Sequence, residues 1–180
     1  MILKYLVIYF NNKYNIFTDK DYNHKSFLMK EIKIDIQRFL NFQKEKGGTA
    51  NGFNFKFLEY KVGYLKLEGE FSSKNLNPNK SVQGGQMNSM LDDVTSLLLI
   101  YESRGLSYPS STNLHSIHHR PLTTGKVIAI AETIKIGRKI ATIKGELFNE
   151  DGLLSTTLIH TAVVIKANLD IPDQIDQSYK

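Results

Sequence analysis

A pair of glycines and a carboxylate about two helical turns later have types and spacing that suit catalysis. Gly84 and Gly85 open a stretch in which Asp92 and Asp93 are the only charged residues up to Ile100. The first N–H groups of a helix have no partner within it and lie at its positive end, so they can stabilise negative charge that develops on a substrate. A carboxylate can serve as a general base or a nucleophile. The glycine pair and Asp92 are therefore the candidate reaction centre.

The same stretch predicts a long, buried helix that would position these groups. One side of the helix would be an apolar stripe, and another would be a small or polar stripe that carries Asp92. Gly105 is expected to end the helix. Asp93 lies about 100° around the helix from Asp92, and we expect it to be salt-bridged or solvated. The apolar stripe recurs at three- and four-residue spacing and contains Met87, Met90, Leu91, Val94, Leu98 and Tyr101. The polar stripe contains Gly85, Asn88, Ser89, Asp92 and Ser96.

An ordered set of short motifs surrounds this helix. They are Asn77-Pro78, Gln83-Gly84-Gly85, Met90-Leu91-Asp92, His119-Arg120-Pro121, Gly125, Gly137-Arg138-Lys139 and Asp151-Gly152. With these motifs, the chain from about residue 50 to 166 resembles the hotdog-fold acyl-CoA thioesterases of the 4-hydroxybenzoyl-CoA thioesterase superfamily, in particular their PaaI-type branch. The resemblance implies a curved antiparallel sheet wrapped around one central helix. It also implies hydrolysis of an acyl-CoA thioester to a free acid and coenzyme A.

The resemblance assigns roles to individual residues. Asp92 takes the position of the base or nucleophile and the Gly84 N–H that of the oxyanion donor, while Asn77 and Gln83 would orient the reactants. Ser110 and Thr112 are alternatives to Ser111 in register. The substrate-binding positions would be Gly85, Ser96 and Ser111. Independently of the resemblance, the basic side chains suit phosphate contact at the mouth of the site, from His118 or His119 with Arg120, Arg138 and Lys139. A solvated or subunit-facing surface is the alternative for these basic residues.

Gln83 departs from the PaaI-type pattern, which usually has histidine at this position. Glutamine can donate a hydrogen bond to a carbonyl, but it cannot take up a proton at neutral pH. A second hypothesis is therefore a non-hydrolytic hotdog protein that binds acyl-CoA. A third is a dehydratase or hydratase, which needs a histidine acting with the carboxylate. Because we expect no histidine near the central helix, we rank the dehydratase or hydratase hypothesis last.

The rest of the chain predicts an α+β domain. Residues 27–46 have the pattern of an amphipathic N-terminal helix that ends at Gly47-Gly48. Runs of strands with one long helix between them are typical of an antiparallel sheet that covers a helix. We expect an N-terminal extension at 1–27, the hotdog domain at 28–167 and a C-terminal tail at 168–180. The expected strands cover 53–59, 63–71, 112–120, 127–134, 139–148 and 153–166.

Length and composition limit the alternatives. A chain of 180 residues suits one domain, and the absence of cysteine excludes disulfides and thiolate chemistry. The formal net charge of +5 suits a phosphorylated ligand, but no nucleic-acid-binding motif accompanies it. The apolar run at residues 6–10 is far shorter than the ~20 residues of a membrane helix.

The resemblance also sets the expected partners. We expect a cytoplasmic enzyme that binds acyl-CoA and needs no metal or redox cofactor, coenzyme A being part of the substrate. In the resembling enzymes two subunits join their sheets edge to edge, and each active site takes the glycine turn from one chain and the Asp from the other. We therefore expect a homodimer with shared active sites, paired again into a dimer of dimers.

Overall fold

The computed structural model of the chain describes residues 36, 40, 41, 44, 45, 49–103 and 105–167. Short 3-10 helices occupy Thr49–Phe53 and Ser73–Asn75. The long central helix is α1 (Gly84–Glu102), and the strands are β1 (Lys56–Lys61), β2 (Tyr64–Phe71), β3 (Ser107–His118), β4 (Gly125–Ile136), β5 (Ile140–Phe148) and β6 (Leu154–Lys166).

The six strands form one antiparallel sheet in the order β1-β2-β4-β5-β6-β3. The core lies between this sheet and α1, where Met90, Leu91 and Val94 are fully buried. Burial of this apolar face supplies most of the drive to form the helix, because the leading residues include two glycines and several polar side chains with weak helix propensity. The predicted α+β class and hotdog fold are confirmed.

Two glycines let the sheet approach the helix closely. A Cβ on Gly145 of β5 would lie 3.1 Å from Leu91 Cδ2 and 3.2 Å from Thr95 Cγ2. A Cβ on Gly69 of β2 would lie 3.0 Å from Met90 Cε. The helix can sit at this depth because both strand positions lack a side chain.

The starts of two strands differ from the sequence prediction by three residues or more. Strand β1 begins at Lys56 instead of residue 53, because Phe53 belongs to a 3-10 helix and packs edge-on against Phe71, with ring centroids 5.7 Å apart. Strand β3 begins at Ser107 instead of residue 112 and includes Pro109. Proline is tolerated there because β3 is an edge strand, where a missing N–H need not break a ladder on both sides.

The ends of the chain are only partly covered. The predicted extension at 1–27 and tail at 168–180 lie outside the described residues. Within the predicted N-terminal helix, the five described residues are all helical, and Ile36 and Leu40 are buried in the core. No helix in the described part of the chain has the length and hydropathy to cross a bilayer.

Candidate active site

The carboxylate of Asp92 lies between α1, β3 and β6. Ser111 Oγ donates a hydrogen bond to Asp92 Oδ1 at 3.0 Å. His160 Nε2 lies 3.6 Å from the same oxygen. The Asp92 side chain remains 33% exposed. Its carboxylate therefore contacts Ser111 on one side and stays accessible to water or a ligand on the other.

An irregularity in β3 directs Ser111 towards the helix. Ser111 lies opposite Ala162 of β6, whereas Leu114, three residues later, lies opposite His160. Ala162 and His160 are both buried on the helix side of the sheet, so Ser111 and Leu114 share that side in spite of their odd spacing. The bulge at Thr112 shifts the register by one residue, which reverses the face that follows. Among the three register alternatives, Ser111 is the one that reaches the carboxylate.

His160 is a component of this site that the sequence interpretation missed. Its side chain is 1% exposed, with Nε2 at 3.0 Å from Ser111 Oγ and Nδ1 at 2.8 Å from Thr95 Oγ1. Burial lowers the pKa of His160, and the nearby Asp92 charge opposes that shift. The expectation that no histidine lies near the central helix was wrong. The available signal was a histidine between Leu158 and Ala162, at an inward position of the alternating strand β6.

A second histidine lies at the start of the helix. Gln83 is the N-cap residue, but its side chain makes no cap hydrogen bond, so it does not occupy the leading N–H groups. His118 Nε2 would be only 2.9 Å from a Cβ placed on Gly84. Its other ring nitrogen lies 3.1 Å from Thr156 Oγ1. An exposed imidazole therefore adjoins the Gly84 turn, where the PaaI-type pattern has a histidine in place of Gln83.

The side chain of Asn77 is engaged by its own loop. Asn77 Nδ2 donates to Ser81 Oγ at 2.8 Å, and Asn77 Oδ1 accepts from the Asn79 N–H at 2.9 Å. These contacts form an Asx-type turn ahead of α1. In this arrangement Asn77 shapes the approach to the helix, and its role in orienting a reactant stays a prediction.

The neighbouring carboxylate, Asp93, points away from Asp92 towards the 3-10 helix at Thr49. Thr49 Oγ1 lies 2.9 and 3.0 Å from the two carboxylate oxygens of Asp93. Burial raises the pKa of Asp93 to about 7, with a smaller increase from the charge of Asp92, while the Thr49 hydrogen bond lowers it. The side chain is thus half-buried and hydrogen-bonded, instead of solvated or salt-bridged as expected.

The basic residues assigned to phosphate binding do not come together within one chain. Arg120 Nη1 donates to the Leu154 carbonyl at 2.7 Å, which places His119 and Arg120 at the start of β6. Arg138 lies in the β4–β5 turn, and the carbonyl of the next residue accepts from the Val164 N–H near the end of β6. Ten residues of strand span about 30 Å. Arg138 is therefore at the opposite end of the sheet from the other two.

The polar stripe of α1 continues on both sides of Asp92. Ser96 is half-buried one turn after Asp92. Asn88 lies one turn before it, and its side-chain oxygen is buried with no hydrogen-bond partner among the described residues. Gly85 is exposed, and a Cβ placed there would meet no atom within 4 Å. The stripe thus leads from the helix start to the carboxylate past small or polar groups.

Comparisons with known proteins agree with this architecture. Residues 79–156 match the family model of the thioesterase superfamily. A phenylacetic acid degradation-related protein from Ralstonia eutropha is 27% identical over 71% of this chain and 98% of its own, with a TM-score of 0.62. No curated protein sequence matches the chain.

Two further crystal structures share the fold at lower identity. A thioesterase from Haemophilus influenzae is 18% identical, covers 67% of this chain and 84% of its own, and has a TM-score of 0.61. A Streptococcus mutans protein bound to acetyl CoA is 16% identical, covers 64% of this chain and 91% of its own, and has a TM-score of 0.58. The family match spans α1 and strand β3, which holds Ser111 and His118. The Ralstonia protein is compatible with a PaaI-type branch. Residues 79–156 of this hotdog-fold chain therefore carry its similarity to the thioesterase superfamily.

Proposed function

We propose that the protein is an acyl-CoA thioesterase in which Asp92 is the catalytic carboxylate. The observation that carries the proposal is the partly exposed Asp92 carboxylate, which accepts a hydrogen bond from Ser111 of β3. Asp92 lies on the same helix as Gly84, at whose start the Gln83 side chain makes no cap hydrogen bond. The acetyl CoA bound to the Streptococcus mutans protein supports the substrate class.

The chemistry follows from the charges that hydrolysis creates. Asp92 removes a proton from water as the water oxygen bonds to the thioester carbon, or Asp92 itself attacks that carbon and the acyl group is then transferred to water. The carbonyl oxygen becomes negative and accepts from the Gly84 N–H at the positive end of α1. Gln83 would donate to the same carbonyl. The C–S bond then breaks, and the coenzyme A sulfur takes up a proton.

Helix geometry argues that each reaction centre uses two chains. Gly84 and Asp92 are eight residues apart on α1, which separates them by about 12 Å. A reacting atom must lie about 3 Å from both the attacking group and the oxyanion donor. We therefore propose a homodimer in which Gly84 of one chain faces Asp92 of the other.

The sheet offers surfaces for such an assembly. Strand β3 is an edge of the sheet, so its outer backbone groups can pair with a second copy. Exposed apolar side chains also lie side by side across the strands, with Tyr108 opposite Ile165 and Val163 opposite Ile140. We propose that this apolar surface joins two dimers. Arg138 would then act on a phosphate only if another copy brings it to His119 and Arg120.

The direct test is coenzyme A release from a panel of short, medium, long and aromatic acyl-CoAs. Asp92→Asn is compared with Asp93→Asn, a matched change at the adjacent position. We expect turnover of at least one substrate, a loss of about 100-fold or more in Asp92→Asn, and near-normal turnover in Asp93→Asn. Equal losses in the two variants would reject Asp92 as the specific base.

The alternative function is acyl-CoA binding without hydrolysis, and Gln83 favours it because glutamine cannot exchange a proton at neutral pH. Tight binding of acyl-CoA by the wild type and by Asp92→Asn, without turnover of any panel member, would select this alternative. Since His118 adjoins the helix start, enoyl-CoA hydration belongs in the same panel. Hydration in place of coenzyme A release would identify a hydratase.

A further inference from the structure

A continuous chain of four polar contacts connects the backbone of α1 to the candidate catalytic carboxylate. Thr95 Oγ1 lies 2.7 Å from the Leu91 carbonyl and 2.8 Å from His160 Nδ1. His160 Nε2 lies 3.0 Å from Ser111 Oγ, which lies 3.0 Å from Asp92 Oδ1. All four distances are those of hydrogen bonds, so each contact calls for one hydrogen.

The supply of hydrogens is one short when Asp92 is ionised and His160 is neutral. Each hydroxyl carries one hydrogen, a neutral imidazole carries one, and a carboxylate carries none. The Leu91 carbonyl can only accept, so Thr95 donates to it and His160 Nδ1–H donates to Thr95. His160 Nε2 then has only a lone pair, and the single hydrogen of Ser111 must serve either Nε2 or Asp92.

One additional proton completes the network, and catalysis supplies it. When Asp92 is protonated, it can donate to Ser111 Oγ while Ser111 donates to His160 Nε2, so that all four contacts are hydrogen bonds. We propose that Asp92, Ser111 and His160 form a proton relay, in which His160 receives through Ser111 the proton that Asp92 takes from the attacking water. This inference rests on the proposed thioesterase function.

The steps of the relay balance. As the water oxygen bonds to the thioester carbon, one water proton moves to Asp92. That proton moves to Ser111 Oγ while the Ser111 hydrogen moves to His160 Nε2, which leaves a carboxylate and an imidazolium. When the C–S bond breaks, the same path runs in reverse and delivers a proton to the coenzyme A sulfur. His160 touches no substrate and is a positioning residue that acts through Ser111.

The surroundings of His160 allow its ring to accept a proton and to release it again. Its partners across the sheet are Leu114 on β3 and Ile143 on β5, which are apolar, and Asp92 on α1 is the titratable group that faces it within the described structure. Burial lowers the pKa of His160, so the ring is neutral at rest. The Asp92 charge favours the imidazolium, and the proton can therefore be accepted and returned.

The first test needs no substrate and is nitrogen NMR of the His160 ring. We expect a neutral ring with its hydrogen on Nδ1, the less common tautomer, and a lower His160 pKa in Asp92→Asn because a negative neighbour is lost. A hydrogen on Nε2 in the neutral ring, or a His160 titration that is unchanged by Asp92→Asn, would overturn the network. This result is independent of whether the protein hydrolyses acyl-CoA.

The second test uses an acyl-CoA that the wild type hydrolyses. His160→Gln and Ser111→Ala should lower kcat by about 10-fold or more, with KM changed less than about twofold. In mixtures of light and heavy water, kcat should follow a bowed curve in the wild type, because several protons move together, and a straight line in both variants. A straight line in the wild type, or unchanged kcat in the variants, would overturn the relay.

The two tests distinguish failure of the proton relay from failure of the proposed thioesterase function. If His160→Gln does not fold, Ser111→Ala makes the same test, because Ser111 lies on an edge strand and its loss removes one hydroxyl. If the wild type hydrolyses no acyl-CoA, the proposed function fails and the catalytic role of the relay fails with it. The NMR result would still decide whether the hydrogen-bond network exists.

Discussion

Ser111 and Asp92 meet at a hydrogen bond of 3.0 Å although they lie on different elements, one on an edge strand and one on the buried helix. The bulge at Thr112 makes the contact possible by turning Ser111 to the helix side of β3. A local defect in strand pairing therefore places the hydroxyl that supports the candidate base.

Replacing Ser111 tests this relationship. Ser111→Ala should lower kcat by about 10-fold, because the Asp92 carboxylate loses its donor and its link to His160. Ser110→Ala is the matched control, since Ser110 precedes the bulge and lies opposite exposed Val163. We expect the control to keep kcat within about twofold of the wild type. Similar losses in both variants would mean that the edge of the sheet, and not the hydroxyl, is responsible.

Mixing two inactive variants tests whether two chains share one reaction centre. Asp92→Asn removes the base. Gly84→Pro removes the N–H donor at a first helical position, where the backbone tolerates proline, and its Cβ also displaces the exposed His118 ring. If the chains exchange freely in a dimer, half of the mixed dimers contain one intact centre of two, so activity should return to about a quarter of the wild-type value. A mixture that stays as inactive as its parts, with exchange verified by mass, would place both groups in one chain.

The contact between Gly84 and His118 predicts a substitution effect that a second change relieves. A methyl group on Gly84 would lie 2.9 Å from His118 Nε2, whereas one on Gly85 would meet nothing within 4 Å. Gly84→Ala should therefore displace the imidazole and weaken acyl-CoA binding more than Gly85→Ala does. His118→Ala should remove part of the difference between the two alanine variants in a binding titration. If the difference is the same in both backgrounds, the contact does not govern binding.

The carboxyl of Asp93 predicts how stability changes with pH. Its pKa is about 7 in the folded protein against 3.8 in the ordinary state, so the folded state binds the proton more tightly. The free energy of unfolding should therefore fall as pH rises from about 4 to about 7. Asp93→Asn keeps an acceptor for Thr49 and removes the charge, and it should be more stable than the wild type by on the order of 2–4 kcal/mol near pH 8.

Urea unfolding at several pH values measures this effect. The two proteins should have similar stability near pH 4, where the wild-type carboxyl is protonated as well. Exposed Asp151→Asn is the control for a change of net charge, and it should shift stability by no more than about 0.5 kcal/mol at either pH. A stability difference for Asp93→Asn that does not grow with pH would contradict the raised pKa.

The central helix could be predicted from the sequence because its signal is local. Met87, Met90 and Val94 recur at helical spacing, the glycine pair marks the start, and Gly105 marks the end. The motif order then indicated the hotdog fold. The helix begins at Gly84, as predicted, and ends at Glu102, three residues before Gly105.

The rest of the site depends on pairing between distant segments, which local spacing does not encode. The contact of Ser111 with Asp92 was predicted with two alternatives, since only the register of β3 against β6 decides which hydroxyl turns inward. His160 lies 65 residues after Thr95, and no motif connects them. The predicted grouping of Arg120 with Arg138 also failed within one chain, because strand direction places them at opposite ends of β6.

Because Gly145 has no side chain, β5 packs closely against the residue of α1 that contacts His160. A methyl group there would press on Thr95, which also holds the His160 ring at 2.8 Å. Gly145 carries no reactive group, but the absence of its side chain helps to set the distance between the His160 ring and α1. A larger side chain at residue 145 would thus disturb the proposed proton path through Thr95 and His160, although it would touch neither Asp92 nor Ser111.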